Sequence, residues 1–271
     1  MDIQHTVPTK IKISIKAVVF ILALLPAICF ALPPEFTASY DLEKFGILAA
    51  KSNYSLKYEN NGIRMLQHTE AAGFAALFRN DELDENSFLS VQGDLLLLTE
   101  FSYKQKSPDN KNRDIQLKID WVQSENKLLG NVEGIASGKK FNLKTNKPVW
   151  DTCTYQIPLM LNTKEGSSPQ KITMMVKGKL RKHTFITHNT EKIEINGNII
   201  QTIKVERDPG KNKNPIYFWL APELNNLPVK IEKWRNGKIE LTMTLNQAIF
   251  PADEDKNFQP ATTNTEELED L

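Results

Sequence analysis

The sequence predicts a mainly β protein: a curved antiparallel sheet, forming a half-barrel or barrel, with one short helix. Three observations predict it. Between residues 36 and 250, apolar and polar residues alternate with period two in short runs, as strands with one buried face require. Asn-Gly pairs and Pro- or Gly-containing stretches separate these runs at intervals that suit a meander, barrel or sandwich. One stretch, 150–161, instead spaces its apolar residues by three or four.

The elements follow in order. Phe36-Thr-Ala38-Ser-Tyr40-Asp-Leu42 and Tyr54-Ser-Leu56-Lys-Tyr58 read as half-buried strands, and Asn60-Asn61-Gly62 turns the chain because Asn and Gly tolerate positive φ. Phe101-Ser-Tyr103, Ile115-Gln-Leu117-Lys-Ile119-Asp-Trp121 and Phe141-Asn-Leu143 continue the alternation. Residues 193–195 and 199–205 form a hairpin about Asn196-Gly197-Asn198, and 229–234 and 239–245 form another about Asn236-Gly237. Within 150–161, Trp150, Cys153, Thr154, Ile157, Met160 and Leu161 share a helical stripe. Asp151 is placed to cap it, and Pro158 limits it to about two turns. Residues 108–113, 162–170 and 208–214 read as polar loops.

The chain divides into a leader at 1–31, a single β domain at 32–251 and an acidic tail at 252–271. Lys10, Lys12 and Lys16 precede the apolar run 17–30, which ends at Cys29-Phe30-Ala31 before Leu-Pro-Pro. A basic segment, a short apolar segment and a small residue at the cut make a signal peptide, cleaved near Ala31. The apolar run falls short of the ~20 residues of a stable transmembrane anchor. Ile28, just before Cys29, does not fit a lipoprotein signal. The expected location is therefore periplasmic. After cleavage Cys153 is the sole cysteine, so no internal disulfide forms and the thiol is expected to be buried. The tail holds seven acids against Lys256 and is expected to be disordered, which leaves the body mildly basic.

No catalytic, cofactor or metal site is predicted. His68, His183 and His188 have no second ligand at metal spacing, and on one strand the odd interval between His183 and His188 sends them to opposite faces. There is no Gly-x-Ser-x-Gly elbow and no phosphate loop. Asp120 beside Trp121 and Asp151 beside Trp150 are the carboxylates that a glycan-acting enzyme would need. Lys177, Lys179, Arg181 and Lys182 form a basic strand suited to lipid headgroups or anionic glycans, and export argues against nucleic acid. Ile216-Tyr-Phe-Trp-Leu220 reads as a core strand or a cavity wall, and Gly73-Phe74-Ala75-Ala76-Leu77-Phe78 as a further part of that wall.

Taken together, Phe36-Thr-Ala38-Ser-Tyr40, Gly73-Phe74, Asp120-Trp121, Trp150-Asp151, Tyr217-Phe218-Trp219-Leu220-Ala221-Pro222 and Leu227-Pro228-Val229-Lys230 resemble an uncharacterised family of exported bacterial proteins, the domain of unknown function 3108. Members usually carry a Ser shortly after the Asp of the middle segment, where this chain reads Asp151-Thr-Cys153-Thr-Tyr155. The resemblance implies an open, curved antiparallel sheet with a helix, similar to periplasmic lipoprotein or lipid carriers. It implies no activity and no catalytic residue. The reading that results is a non-enzymatic periplasmic protein that binds a lipid or other hydrophobic ligand in cell-envelope upkeep. The alternatives are a structural or assembly factor that binds another envelope protein, and a glycan-acting enzyme using Asp120 or Asp151.

Overall fold

The computed structural model describes residues 32–77, 81–107, 113–124, 127–210 and 213–261. The leader, Phe78, residues 108–112 and 262–271 lie outside the described residues.

The alternating runs fold into one sheet of fourteen strands. The first meander comprises β1 (Phe36–Lys44), β2 (Ile47–Glu59), β3 (Gly62–Ala71), β4 (Glu82–Gln92), β5 (Leu95–Lys106), β6 (Ile115–Ser124), β7 (Lys127–Ala136) and β8 (Lys139–Thr145). After the helix α1 (Gln156–Asn162), the second comprises β9 (Gln170–Val176), β10 (Lys179–Ile195), β11 (Asn198–Arg207), β12 (Ile216–Ala221), β13 (Leu227–Arg235) and β14 (Lys238–Ile249). Each strand pairs antiparallel with its sequence neighbours, with two departures. β1 pairs with β14, from Thr37 opposite Ile249 to Lys44 opposite Leu241. β8 and β9 do not pair, so the sheet is not closed.

Alternation decides what each strand buries. Phe36, Ala38 and Tyr40 of β1 are buried while Thr37 is exposed, and Ile63 and Met65 of β3 are buried while Leu66 is exposed. Each large apolar side chain so buried contributes roughly 1.5–3 kcal/mol. Register shifts at Ser39/Tyr40, Leu42/Glu43, Phe88/Leu89 and Trp219/Leu220 bend the strands and give the sheet its curl. The seam between the meanders is tied by the Tyr40 hydroxyl, which donates to the Pro228 carbonyl at 2.9 Å, and by Phe36 against Phe250 at 6.1 Å.

The two free edges overlap instead of pairing. Trp150 forms a parallel bridge to β9: its N–H donates to the Thr173 carbonyl at 3.0 Å and its carbonyl accepts from Met175 N–H at 2.7 Å. A Cβ at Gly178, in the β9–β10 turn, would stand 3.0 Å from Ala136 and 3.2 Å from the Phe141 ring. The core-side face of β7 and β8 therefore lies over the turn of β9 and β10. Met174 and Met175, on opposite faces of β9, are both buried as a result.

The inside of the curl is packed. Leu159 of α1 meets Ile172, Met174, Phe185, Val205, Phe218 and Leu220 in one cluster. Tyr155 stacks on Phe185 at 6.2 Å and sets its edge to Phe218 at 6.0 Å. Helix α1 buries five consecutive residues from Gln156 to Met160, so it is an interior element and not an amphipathic cover. Pro158 falls in its first turn, where the missing N–H has no intrahelical partner to lose, and the helix of seven residues has the length of about two turns expected from the sequence. Asp151, expected to cap the helix, caps the preceding turn instead: its Oδ1 accepts from the N–H groups of Cys153 at 2.7 Å and Thr154 at 2.9 Å, and the helix starts after Tyr155 with no side-chain cap.

Two further expectations change. The acidic tail, expected to be disordered from 252, is held against the sheet as far as Ala261. Phe258 is buried and exchanges backbone hydrogen bonds with Ala248 at 2.8 and 2.9 Å, and Ala261 N–H donates to the Asn196 carbonyl. At the β2–β3 turn the loop residues are Asn60 and Asn61, and Gly62 does not have positive φ. Glycine is needed there for space: a Cβ would collide with the Leu89 carbonyl and stand 2.6 Å from the Phe88 ring. By contrast, Asn236 and Gly237 have φ of 51° and 75°, as a two-residue hairpin turn requires.

Gly62→Ala is therefore expected to destabilise the fold by about 1–3 kcal/mol, the usual cost of overpacking. Urea unfolding followed by tryptophan fluorescence should show a lower midpoint with an unchanged slope. An unchanged midpoint would mean that the contact with β4 is not tight.

Candidate functional site

Inside the curl α1 packs against β9–β12, and a groove opens on the other face of the first meander. Alternation turns Arg64 of β3, Asn86 of β4, Glu100 and Ser102 of β5, Gln116 and Lys118 of β6, Glu133 and Ile135 of β7, and Lys140 and Asn142 of β8 away from the core. These residues line a groove of about 880 Å³ across six strands. A second recess of about 540 Å³ shares Asn86 with it and continues over β14 and β1 to β4, past Leu66, His68, Asp84 and Gln247.

The groove is amphipathic. Ile135 and, at the junction with the recess, Leu66 are exposed hydrophobic residues. Arg64 is held in place, with Nε 2.7 Å from Glu59, Nη1 donating to Asn86 Oδ1 at 2.8 Å, and its guanidinium 5.0 Å from the Phe88 ring centre. Lys118 lies 3.5 Å from Glu100, and Asn142 donates to Glu133 at 3.2 Å. Lys140 has no ion pair among the described residues. The arrangement can hold an apolar chain along Ile135 and Leu66 and place cations near an anionic group.

A second polar assembly is buried beneath the 150–155 segment. Glu85 and Ser87 of β4 point inward, and the Thr152 hydroxyl donates to Glu85 Oε1. Asp151 and Cys153 are fully buried beside them. Burial pushes the Glu85 carboxyl from an ordinary 4.5 up to about 8; the Thr152 hydrogen bond opposes the shift and the neighbouring Asp151 adds to it. Burial also raises Asp151, against the hydrogen bonds of its cap. The Cys153 thiol is pushed well up by burial first and then by Glu85 and Asp151, so it stays protonated and behaves as a small apolar group. Asp151 Oδ2 and Ser87 Oγ are buried without a well-formed hydrogen bond.

The structure separates the residues singled out in the sequence. Asp120 is exposed on the outer face of β6, whereas Asp151 is buried as a cap, so the two carboxylates do not flank one cleft. The carboxylate beside Asp151 is Glu85. His68 bonds Asp84 at 2.7 Å and His188 bonds Glu206 at 3.0 Å. Among the described residues no group of His, Cys, Asp and Glu could hold a metal ion. Phe218, Trp219 and Leu220 of β12 are buried, with Phe218 and Leu220 in the core cluster. The segment Gly73–Leu77 is not a cavity wall: it is a 3₁₀ turn with Phe74 and Leu77 exposed. Lys182 of the basic strand joins Lys144 and Lys147 in a recess of about 350 Å³ where the free edges overlap. Sequence reasoning missed Glu85 and the groove. Glu85 shares its parity with Ser87 and Leu89, which places it inside once β4 is recognised; the groove comes from sheet curvature, which no local pattern encodes.

Comparison with known proteins agrees with this architecture. Residues 35–244 match the family model "Protein of unknown function (DUF3108)", and the chain belongs to that family. Among solved structures it is similar to a beta-barrel-like protein of the domain of unknown function DUF1849 from Brucella abortus. The TM-score is 0.55 at 12% identity, over 81% of this chain and 99% of that one. This likeness shows the fold. No curated protein matches the chain.

The buried carboxyl predicts a pH dependence. Between its ordinary 4.5 and about 8, the folded state keeps a proton on Glu85 that the unfolded chain has lost. Stability contributed by this group is therefore complete at lower pH and declines as pH rises through that window. Glu85→Gln, neutral at every pH, should flatten the decline. Urea midpoints at pH 5 and pH 8.5 measure it; equal slopes in the two proteins would remove Glu85 as the cause.

Proposed function

We propose that this chain is a non-enzymatic binding protein of the cell envelope, and that its ligand is an elongated amphipathic molecule with an acyl-like chain and an anionic end. One observation carries the reading: an open groove of about 880 Å³ runs across β3–β8 on the face away from the core. That volume is within the ~300–1,000 Å³ of small-molecule sites. Its exposed Ile135 and Leu66 supply apolar surface, and Arg64, Lys118 and Lys140 supply positive charge. Membership of a family without assigned activity adds no chemistry, and the Brucella protein's beta-barrel-like fold is consistent with a binding role without specifying one.

Titration with a fluorescent fatty acid tests this reading. Saturable uptake is expected, and Ile135→Asp should weaken it about tenfold, or ~1.4 kcal/mol, with an unchanged melting midpoint. Absence of saturable uptake by the native chain would overturn the assignment.

Export is the second part of the proposal, supported by the leader pattern at 1–31 and by a compact unit that begins at Leu32. Among the described residues no helix is long and apolar enough to cross a membrane. Intact mass of the protein taken from its native envelope fraction should correspond to a chain starting at or near Leu32. A full-length mass in the cytosolic fraction would refute it.

A further inference from the structure

The two ends of the sheet differ in chemistry. In an antiparallel meander, alternate turns fall at the same end, and the β1–β14 register places the second meander's turns on the same scale. One end therefore carries the β1–β2, β3–β4, β7–β8, β9–β10, β11–β12 and β13–β14 connections. The other carries Asn60-Asn61, Gly93-Asp94, Asn196-Gly197, residues 222–226 and the β6–β7 connection, with Lys127 beside the last and Lys256 bonded to Asn225 at 2.9 Å.

Four large apolar side chains stand at the first end. Phe45 and Ile47 flank the β1–β2 turn at 66% and 63% exposure, and Phe74 and Leu77 of the adjoining 3₁₀ turn are at 66% and 74%. The two connections touch: Ala72 N–H donates to the Ala49 carbonyl at 3.0 Å, and Gly73 packs on Leu48. Among the described residues Ile199 is comparably exposed, and Val122 and Leu129, opposite each other on β6 and β7, are 58% and 50% exposed. Isolated exposed apolar residues are ordinary, but a cluster on adjoining turns marks a contact surface.

The charges around this cluster indicate what it meets. Lys44, Lys139, Lys177, Lys179, Lys213 and Lys238 stand on or beside turns of the same end and have no ion pair among the described residues. Lys44 reaches over the Phe45 ring with its Nζ 6.0 Å from the centre. Several of the acids at this end are engaged. Glu240 is shared by Lys233 at 2.9 Å and Arg235 at 3.3 Å, and the Asp208 and Asp114 carboxylates accept backbone N–H bonds at 2.8 and 3.2 Å. Glu43, Glu70, Asp81 and Glu82 also stand beside these turns, Glu82 paired with Lys106 at 2.6 Å. Apolar tips surrounded by uncompensated lysines match the layered chemistry of an anionic lipid surface: hydrocarbon below, phosphate above.

We infer that this end docks on an anionic bilayer, with Phe45, Ile47, Phe74 and Leu77 entering the interface and the lysines resting on headgroup phosphates. The inference uses different residues from the groove, whose Ile135 and Lys140 stand next to the β7–β8 turn of the same end.

Co-sedimentation of the Leu32–Leu271 unit, which contains every described strand and α1, with vesicles tests it. Vesicles of equimolar phosphatidylcholine and phosphatidylglycerol should capture the protein, those of phosphatidylcholine alone should capture it weakly, and salt should reduce the capture. Phe45→Ser with Phe74→Ser should lower partitioning about tenfold, while Ile199→Ser, at the opposite end of the sheet, should leave it unchanged. A dye attached at Ile47→Cys, with Cys153 buried and unreactive, should shift to the blue on the mixed vesicles. Full binding by the double variant, or a dye unmoved by vesicles, would overturn the inference. So would a concentration-dependent dimer abolished by the same two substitutions, because the cluster would then serve a second copy of the chain.

Discussion

The pairing of β1 with β14 is the contact on which the remaining architecture depends. Every other strand pairing joins neighbours in sequence and needs only a turn or a short connection. This one joins Thr37 to Ile249 across nearly the whole chain, so its loop-closure entropy is the largest in the molecule. Without it there are two separate meanders, each with an apolar face to cover. With it the faces curl toward one another and enclose a shared interior. Its reinforcements come from distant segments: the Tyr40 hydroxyl on Pro228, Phe36 on Phe250, and the backbone exchange between Ala248 and Phe258.

Curling creates a volume that something must fill, and the chain fills it with the segment that joins its two free edges. This explains why α1 is apolar on all sides and why so short a helix carries a proline in its first turn. It also explains the polar assembly around Glu85. A segment crossing an interior must satisfy its backbone at the point of entry, and Asp151 does so with two N–H bonds. Asp151 brings a carboxylate into the core, and burial drives Glu85 beside it to the neutral acid, which lowers the charge that must be accommodated. These groups are strongly perturbed, yet they lie under packed side chains, so the perturbation belongs to the fold's construction.

Legibility in the sequence followed the range of each interaction. Strands β1, β6, β13 and β14 were readable because alternation and turn chemistry are local; the Asn236-Gly237 pair adopts the positive φ values that identified it. Strand β4 was harder, because Glu85 and Ser87 occupy inward positions and disguise the alternation of Leu83–Leu89. Gly62, which the Asn-Gly pattern assigns to the turn, is the first residue of β3, and glycine is needed there because the carbonyl it accommodates belongs to Leu89 on another hairpin. The overlap of β7–β8 on β9–β10, and the groove that curvature opens behind it, have no local signal. They follow from fourteen strands taking up a twist together.

The outer face of β11–β13 shows how this chain treats apolar surface that is to stay dry. Trp219 points away from the core, yet it is only 5% exposed. Lys204 and Lys230 lie over its ring at 4.9 and 5.0 Å, and its indole N–H donates to Glu191 at 2.5 Å. Lysine side chains thus serve as a lid, with their ammonium groups over the face of the indole as cation–π partners. The same residue type is abundant around Phe45 and Phe74, but there the rings remain about two-thirds exposed. A sheet that can cover an outward tryptophan with two lysines does not lack the means to cover a phenylalanine. The difference is one of degree: two lysines close over Trp219 at 4.9 and 5.0 Å, whereas at the turn Lys44 alone lies over the Phe45 ring, at 6.0 Å, and the ring stays 66% exposed.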